Sequence, residues 1–401
     1  MSEQERTTPS RLLRGVHRTV TGLHPVLESM LAALIGLLIG AALMYMWGFN
    51  PWKAYWALLR GAYGGSYEWA STLARATPLI LTALTFSVCV RAGMFNIGAE
   101  GQMLMGAMAA VCVALFKMPP GIHLIVGLLF ALIAGAAWSI VPAVLKITRG
   151  VSEVISTIMF NWIARWLALY LVLNILFDPL RAEKTISIPM SGRLPLLMGK
   201  TTLSVGFFVA IAFALVVYFV VWHTVVGYEI RAAGLNPTAA KYGGINSRRT
   251  MLLSFTLGGM AAGLAGACYV MGTPPTYSVF AGLPELTNLG FDGMAVAMVG
   301  RNHPIGIIFS AIFFGGLNAG GRAMQLRAGV PLDMVRVVNG TIVLAMAIPE
   351  LIRILPMVKS GVNRMISSVR PRRGADSGDT PGDPDSSTSR GNATQEKERG
   401  A

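Results

Sequence analysis

The stretch GYEIRAAGLNPTAAKYGGINSRR at Gly227–Arg249 constrains the arrangement of the whole chain. Apolar segments flank it on both sides, at 203–222 and at 251–270. A basic, polar loop punctuated by glycine and proline cannot lie in hydrocarbon, because its backbone groups would have no hydrogen-bond partners there. Its arginines and lysine assign it to the cytoplasmic side by the positive-inside rule. We therefore predict a cytoplasmic loop between two membrane spans.

Within this loop the sequence predicts a short helix held away from the membrane. Asn236 and Pro237 end one short helical stretch and favour the start of the next, at 238–242. Gly243 and Gly244 then release the chain toward the following span. We expect a helix in this position to be a contact site for another protein.

The composition is that of a membrane protein. Hydrophobic residues make up 54% of the 401 residues and charged residues only 13%, whereas a soluble domain carries roughly 25% charged residues. The net charge of +14 does not indicate nucleic-acid binding, because the basic residues lie between apolar runs. The three cysteines lie inside apolar segments, which indicates small buried side chains rather than a disulfide framework or a metal site.

Apolar runs of span length recur along the chain. A span needs roughly 20 apolar residues, and the candidates are 27–47, 71–90, 101–117, 122–145, 154–176, 203–223, 250–271, 289–300, 304–320 and 334–350. The eighth is short and polar, so we expect it to be re-entrant or half-length. Basic residues in the termini and in the loops on the same side as the termini outnumber those in the opposite loops by about two to one. The positive-inside rule assigns the side with the excess to the cytoplasm. The sequence therefore predicts an all-α polytopic membrane protein with about ten transmembrane helices, some broken or re-entrant, and both termini in the cytoplasm.

The predicted division of the chain follows from these runs. Residues 1–25 form a cytoplasmic N-terminal segment, and 27–47 has no convincing cleavage site, so we expect an uncleaved first span. The transmembrane domain covers 26–355 and includes the loop 227–249. Residues 356–401 are a cytoplasmic tail that is basic at first and then rich in Ser, Gly, Asp and Pro. That composition cannot bury a core and predicts disorder.

Two polar, glycine-containing segments interrupt the apolar runs and place polar groups at or near membrane depth. In RAGMFNIGAEGQ at Arg91–Gln102, Asn96 and Glu100 either face a water-filled path or belong to a tight cytoplasmic turn. In GFDGMAVAMVGRNHPIG at 290–306, Asp292 either lines a cavity at a broken helix or caps a half-helix through its backbone amides. The residues alone leave both alternatives open.

A polar stripe lies on the otherwise apolar helix predicted at 154–176. Thr157, Asn161 and Arg165 recur at i, i+4 and i+8, and so share one helix face. Such a face contacts protein or water rather than lipid. The stripe either lines a substrate path or bonds neighbouring helices.

The motifs of common enzymes are missing. Gly199, Lys200 and Thr201 resemble the end of a phosphate-binding loop, but Leu194 stands where that loop requires glycine. The histidines show no zinc-protease spacing, and no serine lies in a nucleophile elbow. We therefore expect neither enzyme activity nor a cofactor in this chain.

Five blocks together resemble a known family. They are ATPLILTALTF (76–86), FNIGAEGQ (95–102), EVISTIMFNWIA (153–164), IRAAGLNPTAAKYGGI (230–245) and GFDGMAVAMVGRNHPIG (290–306). The chain resembles a permease subunit of bacterial ABC importers, in the branched-chain amino acid/ribose/nucleoside permease superfamily. It is most similar to the nucleoside type, which is also called the simple-sugar type.

The resemblance implies a multi-pass protein of the bacterial inner or plasma membrane that works with several partners. Two permease subunits, related or identical, would form the path for nucleosides. Cytoplasmic ABC ATPase subunits would bind ATP and dock on the coupling loop 227–249, and an external solute-binding lipoprotein would deliver the solute. The family's coupling-loop pattern falls on Arg231, Gly234, Asn236, Pro237 and Ala240. This loop departs from the longer EAA-type loop of maltose-class importers, so the contacts of that loop are not carried over.

Candidate residues for the substrate path come from the three polar segments: Asn96, Glu100, Thr157, Asn161, Trp162 and Asp292. An aromatic base and a ribose would suit such groups, and so would a simple sugar such as ribose. Permeases for sugars or branched-chain amino acids are therefore alternatives. An ion-coupled secondary transporter predicts titratable pairs at the midplane, for which only Asp292 and Arg165 are candidates. An intramembrane enzyme or a scaffold is the third possibility, without a catalytic constellation to support it.

Overall fold

A computed structural model of the protein describes residues 33–199, 201–283, 286–338, 340–342 and 344–345. The predicted N-terminal segment 1–25 and the tail 356–401 lie outside these residues. The helices are α1 Ala33–Met46, α2 Pro51–Tyr63, α3 Ser66–Arg91, α4 Ala99–Val113, α5 Ile122–Arg149, α6 Glu153–Tyr170, α7 Gly206–His223, α8 Val225–Leu235, α9 Pro237–Tyr242, α10 Ser247–Gly272, α11 Leu289–Val299 and α12 Pro304–Ala328. Helical residues follow at 333–338, 340–342 and 344–345.

The described residues confirm a mainly helical, polytopic protein. Each of the ten predicted span ranges contains helix. Six helices are individually long and apolar enough to cross a membrane: α3, α5, α6 with its extension to Ile175, α7, α10 and α12. The eighth predicted span is the 11-residue helix α11, which is about 16 Å long at 1.5 Å per residue. This length agrees with the prediction that the segment is re-entrant or half-length.

The helix ends follow local chemistry. The Asn50 side chain accepts a hydrogen bond from the Lys53 amide at 3.1 Å, and Pro51 occupies the first turn of α2. Gly150, with a φ of 68°, closes α5 in the left-handed conformation that glycine adopts easily. Pro78 lies inside α3, where the Thr82 hydroxyl donates to the Pro78 carbonyl at 2.9 Å. Pro78 itself has no N–H to donate to the carbonyl four residues before it.

Helix α10 lies at the centre of the bundle and packs closely on α3, α4 and α5. Its glycines allow backbone-to-backbone contact. A Cβ added at Gly263 would meet the carbonyl oxygen of Ala131 in α5, and Gly106 of α4 faces the same position. The Ser139 hydroxyl donates to the carbonyl of Phe255 at 2.8 Å, which adds a polar link between α5 and α10.

A small β-hairpin follows α6 and departs from the all-α prediction. The strands Phe177–Asp178 and Arg181–Thr185 pair antiparallel. We call residues 177–199 the hairpin segment. Its strands are short, and the charged sequence RAEKT of the second lacks the alternation of apolar and polar residues by which strands are recognised. The hairpin therefore could not be predicted from the sequence pattern.

Side-chain and backbone bonds hold the hairpin segment against residues 273–283. The Thr185 amide donates to the Val279 carbonyl at 2.9 Å, and the guanidinium of Arg193 lies 4.2 Å from the centre of the Tyr277 ring. Lys184 pairs with Asp178 at 3.1 Å. The Leu180 amide and Lys184 together lower the pKa of Asp178. The hairpin segment contacts the C-terminal end of α10, whereas the loop 227–249 leads into its N-terminal end.

Replacing Gly263 by alanine is expected to destabilise the chain, because the added methyl group collides with the α5 backbone. Overpacking of this kind costs about 1–3 kcal/mol. The measurement is the midpoint of thermal unfolding of the purified chain in detergent. Gly340→Ala is the matched control, since nothing lies within 4 Å of a Cβ added there. Equal midpoints for the two variants would contradict the packing role of Gly263.

Candidate functional site

Three elements meet at one polar site inside the bundle. They are the segment 92–98 with the start of α4, the first half of α6, and the start of α11. We call the residues Asn96, Glu100, Thr157, Asn161 and Asp292 the polar junction. Helix α4 has 15 residues and α11 has 11, so neither covers the roughly 30 Å of a hydrocarbon core alone.

The segment before α4 is organised from within by Asn96. Its side chain is fully buried. Its Oδ1 accepts hydrogen bonds from the Gly98 amide at 2.9 Å and from Gln102 Nε2 at 3.1 Å. Asn96 therefore fixes the turn that leads into α4. Its polar atoms serve the chain itself.

Two residues of the α6 stripe bond the backbone of this segment. The Ile97 amide donates to Thr157 Oγ1 at 3.3 Å, and the Gly101 amide donates to Asn161 Oδ1 at 2.8 Å. Asn161 Nδ2 in turn donates to the Ile97 carbonyl at 2.9 Å. Thr157 and Asn161 thus bond a neighbouring element, which is one of the two alternatives stated for the stripe.

The two short helices α4 and α11 meet at their N-terminal ends. A Cβ added at Gly290 would lie 2.5–2.9 Å from the backbone nitrogen, Cα and Cβ of Glu100, so the two backbones touch. Glu100 Oε2 accepts a hydrogen bond from the Asn288 amide at 3.0 Å. Asn288 has a φ of 70°, a conformation that asparagine tolerates better than most residues.

Carboxylates and guanidinium groups surround this contact. Glu100 lies within electrostatic range of Arg165 and Asp292, and Asp292 within range of Arg336. Asp292 occupies the first turn of α11, where the helix dipole favours an anion. Among the described residues its carboxylate accepts no hydrogen bond. Among the described residues, the carboxylates of Glu100 and Asp292 can thus accept further hydrogen bonds. The polar atoms of the other residues of the polar junction bond the chain itself.

Trp162 lies apart from the polar junction. It is 54% exposed on the outward face of α6, and the Arg165 guanidinium lies 6.0 Å from its ring centre. The structure therefore brings together five of the six residues predicted for the substrate path. No group of three His, Cys, Asp or Glu side chains in the described part of the chain is placed to hold a metal ion.

The loop 227–249 forms two short helices, as its sequence predicts. Asn236 ends α8 and caps α9, because its Oδ1 accepts from the amides of Thr238 at 3.1 Å and Ala239 at 3.0 Å. Pro237 occupies the first turn of α9, and Ala240 is buried beneath it. Asn236 and Pro237 thus shape the loop, and Ala240 anchors α9.

The surface of this loop presents two large side chains that sequence reasoning missed. Leu235 is 88% exposed and Tyr242 is 91% exposed. They lie at the ends of α8 and α9, on either side of the Asn236 cap. A leucine within a polar loop was the available signal, but periodicity could not show whether it faces inward.

Arg231 and Gly234 attach α8 to the membrane helices. A Cβ added at Gly234 would collide with the backbone of Arg91 and Gly93 at the end of α3. Arg231 donates to the Val221 carbonyl near the end of α7. These two residues of the predicted coupling pattern therefore contact the chain itself.

Comparison with known proteins places these features in a family. The family model "Branched-chain amino acid transport system / permease component" matches residues 69–347. The guanosine ABC transporter permease NupP of Bacillus subtilis is 36% identical over 350 residues, which cover 86% of this chain and 100% of NupP. The nucleoside ABC transporter permease NupB of Lactococcus lactis is 36% identical over 347 residues, covering 84% of this chain and 94% of NupB.

A relative with a different named solute is also similar. The glucose ABC transporter permease TsgB13 of Haloferax volcanii is 30% identical over 366 residues, covering 87% of this chain and 90% of TsgB13. No solved structure matches the chain. The family match and the full-length relatives agree, and the chain belongs to the branched-chain amino acid transport system permease family of ABC transporters.

Proposed function

We propose that the chain forms the translocation path for nucleosides in an ATP-driven importer. The observation that carries this proposal is the 36% identity to a guanosine permease and to a nucleoside permease across nearly their whole lengths. The polar junction is consistent with it, because it places polar groups at the meeting point of two half-length helices. Helices broken at membrane depth are a common way for transporters to build a solute site.

In this proposal the chain crosses the bacterial inner or plasma membrane about ten times, with both termini in the cytoplasm. The permease domain extends over 26–355. The loop 227–249 then faces the cytoplasm, and the hairpin segment faces outward. The contacts of these two regions with opposite ends of α10 support that arrangement.

Glu100 and Asp292 are the residues of the polar junction that we assign to solute contact. A nucleoside offers N–H and O–H donors on its base and ribose, and ionised carboxylates are acceptors with several lone pairs. Asn96, Thr157 and Asn161 hold the backbone beneath this site. Trp162 faces outward on α6, where it could meet the base only in a path shared with a second subunit.

The loop 227–249 is the proposed docking site of the cytoplasmic ATPase. Leu235 and Tyr242 offer apolar contact area, and the Asn236 cap holds them in a fixed relation. ATP is bound and hydrolysed by that partner in this proposal, so the chain itself needs no cofactor. Drawing two ATPases together would switch the permease between inward-facing and outward-facing states.

A second permease subunit and an external lipoprotein complete the proposed importer. NupP and NupQ of Bacillus subtilis are both named guanosine permeases and are 36% and 32% identical to this chain. The presence of two non-identical guanosine permeases in one organism favours a pair of related chains over two copies of one chain. The lipoprotein would dock on the hairpin segment, where Leu180 is 92% exposed and Met190 is 85% exposed.

A simple sugar is the second candidate solute. The similarity to the glucose permease TsgB13 is its specific support, at 30% identity over most of both chains. Both solute classes share hydroxyl donors, so the polar junction alone does not separate them.

Deleting the gene is expected to abolish uptake of labelled guanosine, adenosine or uridine by the natural host, and to leave uptake of ribose and glucose unchanged. Restoring the gene on a plasmid should restore nucleoside uptake, which controls for effects on neighbouring genes. Loss of sugar uptake alone would contradict the nucleoside assignment and move the solute to simple sugars.

Glu100→Gln is expected to lower nucleoside uptake about tenfold while the amount of assembled importer stays unchanged. Glutamine keeps the shape and still accepts a hydrogen bond from the Asn288 amide, but it loses the carboxylate charge. Loss of a charged hydrogen bond to the solute costs about 1.5–3 kcal/mol. The measurement is the initial uptake rate per assembled complex, with Glu183→Gln in the hairpin segment as the exposed control. Uptake equal to that of the control would remove Glu100 from the path.

Leu235→Asp is expected to lower the amount of ATPase that copurifies with the chain, because a charge replaces apolar contact area. Leu180→Asp should leave this amount unchanged, since Leu180 belongs to the hairpin segment at the opposite end of α10. Leu180→Asp should instead abolish the stimulation of ATP hydrolysis by the loaded lipoprotein. Normal ATPase recovery with Leu235→Asp would show that the docking surface lies elsewhere.

A further inference from the structure

Four side chains from different elements stack where α3, α7, α8 and the loop before α12 meet. They are Arg91, Trp222, Arg231 and His303, and we call them the stacked cluster. Arg91 is the last residue of α3, Trp222 lies near the end of α7, Arg231 belongs to α8, and His303 precedes α12. In the proposed topology they lie at the cytoplasmic end of the bundle.

Arg91 fastens the loop between α11 and α12 through two main-chain bonds. Its Nε donates to the Asn302 carbonyl and its Nη2 to the Arg301 carbonyl, each at 3.1 Å. Arg301 and Asn302 have φ values of 54° and 52°, in the left-handed region that non-glycine residues adopt at a cost. One planar guanidinium thus holds two consecutive carbonyls of a strained turn, a geometry that lysine cannot reproduce.

The Trp222 ring connects Arg91 to α8. The guanidinium carbon of Arg91 lies 5.3 Å from the ring centre and that of Arg231 lies 6.0 Å from it. The His303 ring lies 4.7 Å from the same ring centre. Burial and the neighbouring Arg91 lower the pKa of His303. This shift disfavours a third positive charge in the cluster.

A second contact between α8 and the end of α3 involves only backbone. Gly93, with a φ of 74°, packs on Gly234, so that a Cβ at Gly93 would lie 3.1 Å from the Gly234 Cα. If α8 moves toward α3, its backbone therefore pushes directly on the backbone at the end of α3, because no flexible side chain lies between them. Arg91 lies two residues from this contact.

We propose that Arg91 is the positioning residue that transmits movement of the coupling helix α8 to α11. The inference rests on the proposed ATP-driven function and deepens it. Arg91 joins the α8 contact to the turn at 301–302, which directly follows α11. At its other end α11 packs on Glu100 through Gly290. A shift of α8 thus reaches the polar junction through Arg91 and one short helix.

The test uses the assembled importer and a reporter on α11. Phe291, in the first turn of α11, is 45% exposed, so F291C in a Cys112→Ser background reports the surroundings of this turn by its rate of maleimide labelling. Cys89 and Cys268 are buried. Arg91→Lys keeps the charge and removes the two-carbonyl geometry. Arg149→Lys, exposed at the end of α5, is the matched control.

With R91K we expect ATP hydrolysis to continue, the ATP-induced change in labelling to disappear and nucleoside uptake to fall about tenfold, a typical size for coupling between sites. R149K should respond to ATP as the parent does. An R91K importer with the same ATP-induced labelling change as R149K overturns the inference. A purely structural role would instead lower hydrolysis and labelling together with the yield of complex.

Trp222→Leu tests the same link without altering Arg91. It removes the ring that both guanidinium groups approach and should also abolish the labelling change. If R91K fails to assemble, W222L alone decides: a retained response overturns the inference and a lost response with continued hydrolysis supports it.

An R149K importer that responds to ATP but takes up no nucleoside contradicts the solute assignment and leaves the role of Arg91 intact. A parent that does not respond to ATP contradicts the ATP-driven function, and the inference fails with it.

Discussion

The non-helical backbone between α3 and α4 is partly buried inside the bundle, where its amides and carbonyls need hydrogen-bond partners within the protein. Thr157 and Asn161 supply them from α6, through the amides of Ile97 and Gly101 and the carbonyl of Ile97. This requirement accounts for a polar stripe on an apolar helix. It also fixes where α4 begins. Because Gly290 packs directly on Glu100, the start of α11 is fixed by the same bonds, and the rest of the polar junction follows.

The loop 227–249 is stiff within itself. Its two helices are well capped, by Thr224 and by Asn236. They pack on the bundle through buried residues of both helices, among them Ile230, Ala233 and Ala240. An element that is internally stiff moves as a body. This is the property that a coupling element needs, since a flexible one would absorb the displacement that it has to transmit.

Much of the fold could be predicted from the sequence because hydropathy and local turn chemistry act over short distances. The ten apolar ranges, the half-length α11 and the Asn236 cap all depend on neighbouring residues. The sequence left the role of Thr157 and Asn161 open, because a helical stripe does not reveal what faces it. The contact of Gly93 with Gly234 joins residues far apart in the chain, and no periodicity encodes it. The hairpin was missed because its charged second strand lacks alternation.

The polar junction also bears on how one fold serves different solutes. Asn96, Thr157 and Asn161 direct their polar atoms to the chain itself, so these three residues maintain the site whatever passes through it. Within the described part of the chain, Glu100 and Asp292 retain acceptor capacity, and carboxylates accept hydrogen bonds from N–H and O–H donors. In the proposed importer such a site would accept more than one class of hydroxyl-bearing solute. Relatives named for guanosine and for glucose are both similar to this chain over most of its length. Weak contact favours release, which a permease needs as much as entry. In the proposed importer, selection of the solute therefore falls to the external binding protein, and the chain contributes an adaptable path whose opening is set by the loop 227–249.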